Sequence, residues 1–244
     1  MTYASASVFL RHSRTSPVNA PGRPITSAPA PLARGPLPLA KQVLSVIARP
    51  GQESADLGGL LCAFRRRGAR VALLCLTRGE ASPLNATIER LETRRPWELR
   101  VAASLLGIGA VTQADLPDGG LAGWPAEELA ERVTREIRRY APDLLLVIDP
   151  VTGSPDDDAV GRATRAAGEQ AGVPALARTV LATRSGWLAD LGPEAPAARA
   201  AQRAALAAHT SQSVVLSPPG RRPHAPGRPE ALGPQDPREL LRWL

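Results

Sequence analysis

The side chains that could do chemistry in this 244-residue chain fall into a few short segments. Arg49-Pro50-Gly51-Gln52-Glu53, Arg78-Gly79-Glu80, and Asp149-Pro150 with Ser154-Pro155-Asp156-Asp157-Asp158 each follow an apolar run. Arg95, Asp118 and His209 complete the set. Glu53, Asp156 and His209 are the types that move protons, so a rearranged hydrolytic site is one chemistry open to them. The Asp156–Asp158 triplet suits either a hard divalent cation or the start of a helix, where acids complement free amides and the macrodipole. Arg95 and Asp118 are candidates for contact with a ligand, although Arg95 could instead pair with Glu92 or Glu98 along a helix. Glu53 and Glu80 could also serve only to hold their loops by hydrogen bonds. Cys62 and Cys75 are the two cysteines, so a disulfide framework or a cysteine zinc cluster is excluded. Both fall on apolar elements and read as inert buried thiols. With His12, His209 and His224 the only histidines, a histidine metal site has little to draw on.

The segments sit where a layered α/β fold would place them. Residues 43–48 and 70–77 are apolar and β-branched enough for buried strands, and 143–148 is the clearest strand of all. A weaker strand lies near Val111, and another is expected over 178–183. Helices are predicted over 54–67, 88–106, 127–140, 157–171 and 197–208, with Gly68 and Gly107 as stops. Alternating strands and helices imply one domain: a Rossmann-like, mostly parallel sheet with helices on both faces. Such sheets bind ligands beyond the carboxyl ends of their strands, which points to 48–53, 77–80 and 149–158.

The charge of +7, from 30 Lys+Arg against 23 Asp+Glu, belongs mostly to the ends. Residues 1–40 carry four Arg and no acid, and 213–244 carry five Arg against three acids. Both ends are rich in proline and are expected to be solvated, so the domain is assigned to 41–212, with 1–40 as a disordered extension and 213–244 as a tail. The first segment reads as such an extension or as the product of a start codon placed too early, because its prolines would break a transit helix. With 3% aromatic residues and arginine in place of nearly every lysine, specific nucleic-acid binding is not expected. No apolar run is long enough for a membrane-spanning helix, and a cytoplasmic location is expected.

Several blocks resemble the LmbE-like, or PIG-L, N-deacetylases in order. They are 43–53 followed by Gly58-Gly59, Leu73-Leu74-Cys75-Leu76-Thr77-Arg78-Gly79-Glu80, and Arg95-Pro96-Trp97-Glu98-Leu99 running into Gly107. The later ones are Leu116-Pro117-Asp118-Gly119-Gly120, the stretch from Pro142-Asp143 to Pro155-Asp156, and His209-Thr210-Ser211-Gln212. The resemblance implies a fold built around one zinc and hydrolysis of N-acetyl groups on N-acetylglucosamine-type sugars. It also implies that a His-Pro-Asp-Asp-Glu first loop and a His-Pro-Asp-His second loop supply the ligands, base and assisting histidine. In this chain the ligand positions are Arg49, Gln52 and Asp157, the base position is Gly51 and the assisting position is Ser154. Arginine offers no lone pair to a metal and glycine moves no proton. No zinc or other cofactor is therefore expected, and the expected function is that of a lapsed family member. Arg49 is expected either to pair bidentately with Asp157 or Asp156 or to point into solvent. The expected ligand is an N-acetylated or amino-sugar-like small molecule. Two other readings stand beside this one: a hydrolase using Glu53, Asp156 and His209, and a scaffold acting through its basic ends.

Overall fold

Three apolar runs that have no polar face must lie in the middle of a covered sheet, and they do. The computed structural model describes residues 33–81, 90–150, 153–179, 186–213 and 238–244. Strands β2 (Gln42–Ile47), β3 (Arg70–Thr77) and β5 (Leu144–Ile148) pair in parallel, with β2 in the centre. The other strands are β1 (Ala33–Pro36), β4 (Ala110–Leu116), β6 (Ala175–Arg178), β7 (Trp187–Asp190) and β8 (Arg238–Trp243). Among the described residues the sheet has eight strands in the order β1-β7-β8-β6-β5-β2-β3-β4. All neighbours are parallel except β8, which runs antiparallel to both β6 and β7.

Alternation along the strands feeds two cores. Val43 and Ile47 face helices α2 (Gly58–Arg66), α3 (Leu91–Leu106) and α6 (Ala195–Ala208), packing with Leu60, Phe64, Leu99 and Ala205. Leu44 and Val46 face the other way, toward α4 (Ala126–Tyr140) and α5 (Pro155–Ala171) with Leu129, Val133 and Val160. In α4 the buried Leu129, Val133 and Ile137 recur every fourth residue, the pattern that makes one helical face apolar.

The helix expected over 54–67 is two helices, α1 (Gln52–Ala55) and α2, broken at Asp56-Leu57. The break turns Gly58 onto α6, where an added Cβ would lie 2.8 Å from Gln202 Cγ, so the two helices approach closely only without a side chain there. Helix α3 begins at Leu91, and residues 82–89 lie outside those described. The strand expected over 178–183 is found earlier, as β6, and 180–185 are not among the described residues. The sheet also reaches beyond 41–212 on both sides: β1 comes from the segment read as an extension and β8 from the segment read as a tail.

Polar side chains add to the ladder in holding β8 in place. Arg242 donates twice to the fully buried Asp149 at the end of β5, at 2.5 and 2.6 Å. Glu239 takes Arg199 of α6 at 2.6 Å and lies 3.6 Å from Arg178 of β6. Arg242→Ala would leave Asp149 buried without this counter-charge, and is expected to lower unfolding free energy by about 3 kcal/mol or more in urea titrations. A loss below about 1 kcal/mol would mean that β8 does not depend on the pair.

Candidate functional site

The chain runs from β2 outward through β3 and β4, then returns to the other side of β2 as β5. The loops after β2 and β5 therefore diverge from one point, and a crevice must open between them. Beside the loop after β2, on the side of the loops that follow β3 and β4, lies a cleft of about 450 Å³ lined by residues that include Arg49, Gly51, Gln52, Arg95, Asp118 and Gln212. That volume suits a sugar-sized ligand.

Gln52 begins α1 and is almost fully buried. Its Oε1 accepts from the backbone N–H of Ala48 (3.0 Å) and Arg49 (3.1 Å), while its Nε2 donates to Asp157 Oδ1 at 2.7 Å. Arg49 reaches the same carboxylate from the cleft side, with Nη2 3.9 Å from Asp157 Oδ1 and 3.4 Å from Ser154 Oγ. Neither expected placement of Arg49 is met in full: the contact is single and long rather than bidentate, and the side chain is still 36% exposed. Ser154 meanwhile caps α5, accepting from the Asp157 N–H.

The zinc that the resemblance implies does not fit these residues. Arg49 and Gln52 both aim N–H groups at Asp157, so the three ligand positions offer one carboxylate, already engaged. Among the described residues, no three or more His, Cys, Asp or Glu side chains converge as a metal site. At Gly51 the backbone has φ +102°, and a Cβ there would run into the carboxamide of Gln212. The base position is thus closed to a side chain by its conformation as well as by its residue type.

The three proton-moving candidates are not brought together. Glu53 and His209 meet at 2.5 Å, but both are buried and neither lines the cleft. Glu53 also accepts from the Gly51 N–H at 2.8 Å and Ser54 Oγ at 2.6 Å, which holds the first loop. Asp156 lies apart from them and accepts from the backbone N–H of Gly119 (2.8 Å) and Ala122 (3.2 Å), fixing the loop after β4. Asp118 does line the cleft, accepting from Thr77 Oγ1 (3.4 Å) and the Ala81 N–H (3.1 Å). Burial pushes its carboxyl above the usual range, against the pull of Arg49. Glu80 is a loop holder, accepting from the Asp118 N–H at 3.0 Å. Both cysteines are buried, and burial raises the Cys75 thiol well above its ordinary pKa, consistent with inert thiols.

Arg95 is 2% exposed, and its Nη1 donates to the Gly79 carbonyl. Its Nε and Nη2 have no hydrogen-bond partner among the described residues. The pairing with Glu98 allowed by sequence is not made, because Glu98 is committed elsewhere. It accepts from Ser211 Oγ (2.6 Å), Thr210 Oγ1 (2.8 Å), the Ser211 N–H (2.9 Å) and Arg94 Nε (3.1 Å). Gln212, marked in the sequence only as part of the His209–Gln212 block and given no role there, donates to the Pro50 carbonyl at 3.1 Å and so forms a wall of the cleft.

Burial alone would raise the Glu98 pKa, but its hydrogen bonds outweigh burial and lower it. A depressed folded pKa stabilises the fold above the ordinary carboxyl range, and that contribution is lost as pH falls through the lower folded value. Glu98→Gln is therefore expected to cost about 1.5–3 kcal/mol at neutral pH, with the gap to the unaltered protein closing as denaturation is repeated toward pH 3. A gap independent of pH would exclude the charged form as the source.

Comparison with known proteins identifies the fold and the family. The family model for GlcNAc-PI de-N-acetylase, PIG-L, matches residues 44–168. A probable N-acetyl-alpha-D-glucosaminyl L-malate deacetylase 2 of Bacillus anthracis is 30% identical over 129 residues, 50% of this chain and 57% of that protein. The chain thus spans little more than half the length of that relative. In fold it is similar to the N,N'-diacetylchitobiose deacetylase of Pyrococcus horikoshii, with a TM-score of 0.56, 19% identity and 72% of each chain covered. It is equally similar to GalB, the 4-carboxy-2-hydroxymuconate hydratase of Pseudomonas putida (TM-score 0.56, 18% identity, 84% and 96% covered), so this architecture also carries a different reaction. The match of the family model to half the chain, in the order of the loops just described, places this protein in the PIG-L family.

Proposed function

We propose that this chain is a catalytically lapsed member of the PIG-L family that keeps the cleft as a binding site for an N-acetylated or amino-sugar-like small molecule. The observation that carries the reading is the Arg49–Asp157–Gln52 contact, in which two N–H donors and one carboxylate satisfy each other where the family sets three metal ligands. Gly51 adds to it, since glycine carries no group to move a proton and its positive φ disfavours any side chain at that position. The substrate class comes from the family and from the Bacillus relative, whose name specifies an N-acetylglucosaminyl conjugate. A rearranged hydrolase built on Glu53, Asp156 and His209 is less well supported, because their oxygens and ring nitrogen are spent on one another and on loop amides.

Metal analysis of the purified chain, with an N-acetylglucosaminide hydrolysis assay, tests the reading. The expected result is no stoichiometric zinc and no turnover. Stoichiometric zinc, with turnover abolished in Glu53→Ala or His209→Ala, would overturn it. The combined variant Arg49→His, Gln52→Asp and Asp157→His restores the family's ligand types and is expected to take up zinc. Gly51→Asp is expected to cost about 1–3 kcal/mol in thermal or denaturant unfolding, from the positive φ and the clash with Gln212.

A further inference from the structure

The helices on the two faces of the sheet differ in what they show to solvent. On one face α2, α3 and α6, with their capping residues, expose seven arginines, among them Arg65, Arg90, Arg100 and Arg203. Three acids stand in the same set: Glu194 holds Arg66, Glu98 holds Arg94 at 3.1 Å, and Glu92 makes no ion pair among the described residues. Seven against three leaves a surplus of four positive charges. On the other face α4 and α5 expose five arginines and four acids, which nearly cancel. Apolar exposure follows the charge. Of the four large apolar side chains exposed among the described residues, Trp97 (62%), Leu105 (46%) and Leu206 (39%) lie on the helices of the basic face. On α3 the two kinds are interleaved: Arg94 stands three residues before Trp97, and Arg100, Val101 and Leu105 three, four and eight after it, on one broad side of the helix.

That pattern selects among occupants. A protein interface gathers apolar side chains into a core and keeps charge at the rim, whereas here the two alternate. At the headgroup level of a bilayer, an indole ring and arginines that meet phosphates sit at the same depth, so alternation suits that surface. A second copy of this chain suits it less: the same face repels it, and the opposite face carries almost no net charge. We propose that the face built by α2, α3 and α6 docks peripherally on an anionic lipid surface. Trp97 and Leu105 enter the headgroup layer, and Arg100 and Arg203 meet the lipid phosphates. Docking does not depend on what the cleft binds or on whether the chain turns over.

Vesicle co-sedimentation of the full chain tests this, comparing pure phosphatidylcholine with an equal mixture of phosphatidylcholine and phosphatidylglycerol. Binding to the mixture is expected to be about tenfold tighter or more, and to weaken as salt is raised. Arg100→Glu combined with Arg203→Glu changes two exposed side chains and is expected to lower that affinity about tenfold or more. Trp97→Ala is expected to weaken binding to the mixture several-fold while leaving the dependence on salt as it was. Arg135→Glu combined with Arg162→Glu alters net charge by the same amount on the opposite face, and is expected to leave binding unchanged. Equal loss in the two double variants would mean that net charge alone, the basic ends included, drives the binding, and would overturn the proposal. Equal affinity for the two vesicles, or a Trp97→Ala variant that binds like the unaltered chain, would overturn it as well. Binding to soluble polyglutamate but to neither vesicle would assign the face to an acidic protein instead.

Discussion

The cleft depends on one side chain that joins two loops. Gln52 holds the backbone after β2 through the Ala48 and Arg49 amides and reaches across to Asp157 at the start of α5. A metal ion would draw the same two loops together by sharing their lone pairs. Here a carboxamide does it with one acceptor and one donor, each hydrogen bond contributing about 1 kcal/mol net. The substitution is chemically consistent: with a neutral amide and a guanidinium around it, Asp157 is satisfied without an ion.

A second set of contacts fixes the first loop from the α3 and α6 side. Glu53 meets His209, Gln212 meets Pro50, and Glu98 gathers Thr210 and Ser211. Because Thr210 to Gln212 follow α6 directly, the end of that helix sets the height of one cleft wall. Gln212 also occupies the space that a side chain at residue 51 would need.

The last strand ties the far side of the sheet to the same region. Arg242 on Asp149 anchors the end of β5, and Glu239 stands beside Arg178, whose guanidinium also holds Asp56 at the cleft rim. Through these pairs, a segment remote in sequence steadies the strand end from which the second loop departs. Charged side chains near the C-terminus thus serve the domain and are not merely a solvated surplus.

The sequence by itself determined the parallel sheet, its helices on both faces and the two loops that matter, because buried strands and amphipathic helices are local patterns of apolar spacing. It also determined which chemistry positions 49, 51, 52 and 157 cannot perform, since that follows from residue type. Only the tertiary structure decided their partners. Asp156 and Glu98 look alike in sequence as acids, yet one holds the loop after β4 and the other holds Thr210 and Ser211 from 112 and 113 residues away. Arg95 could have paired along its own helix, but Glu98 is held by those distant hydroxyls and Arg95 donates to the Gly79 carbonyl instead. The ends told the same lesson: proline and arginine content suggested solvated tails, while β1 and β8 add hydrogen-bonded strands that no local pattern announced. Pairing across long separations depends on which groups the fold brings within about 3 Å, and spacing along the chain does not encode that.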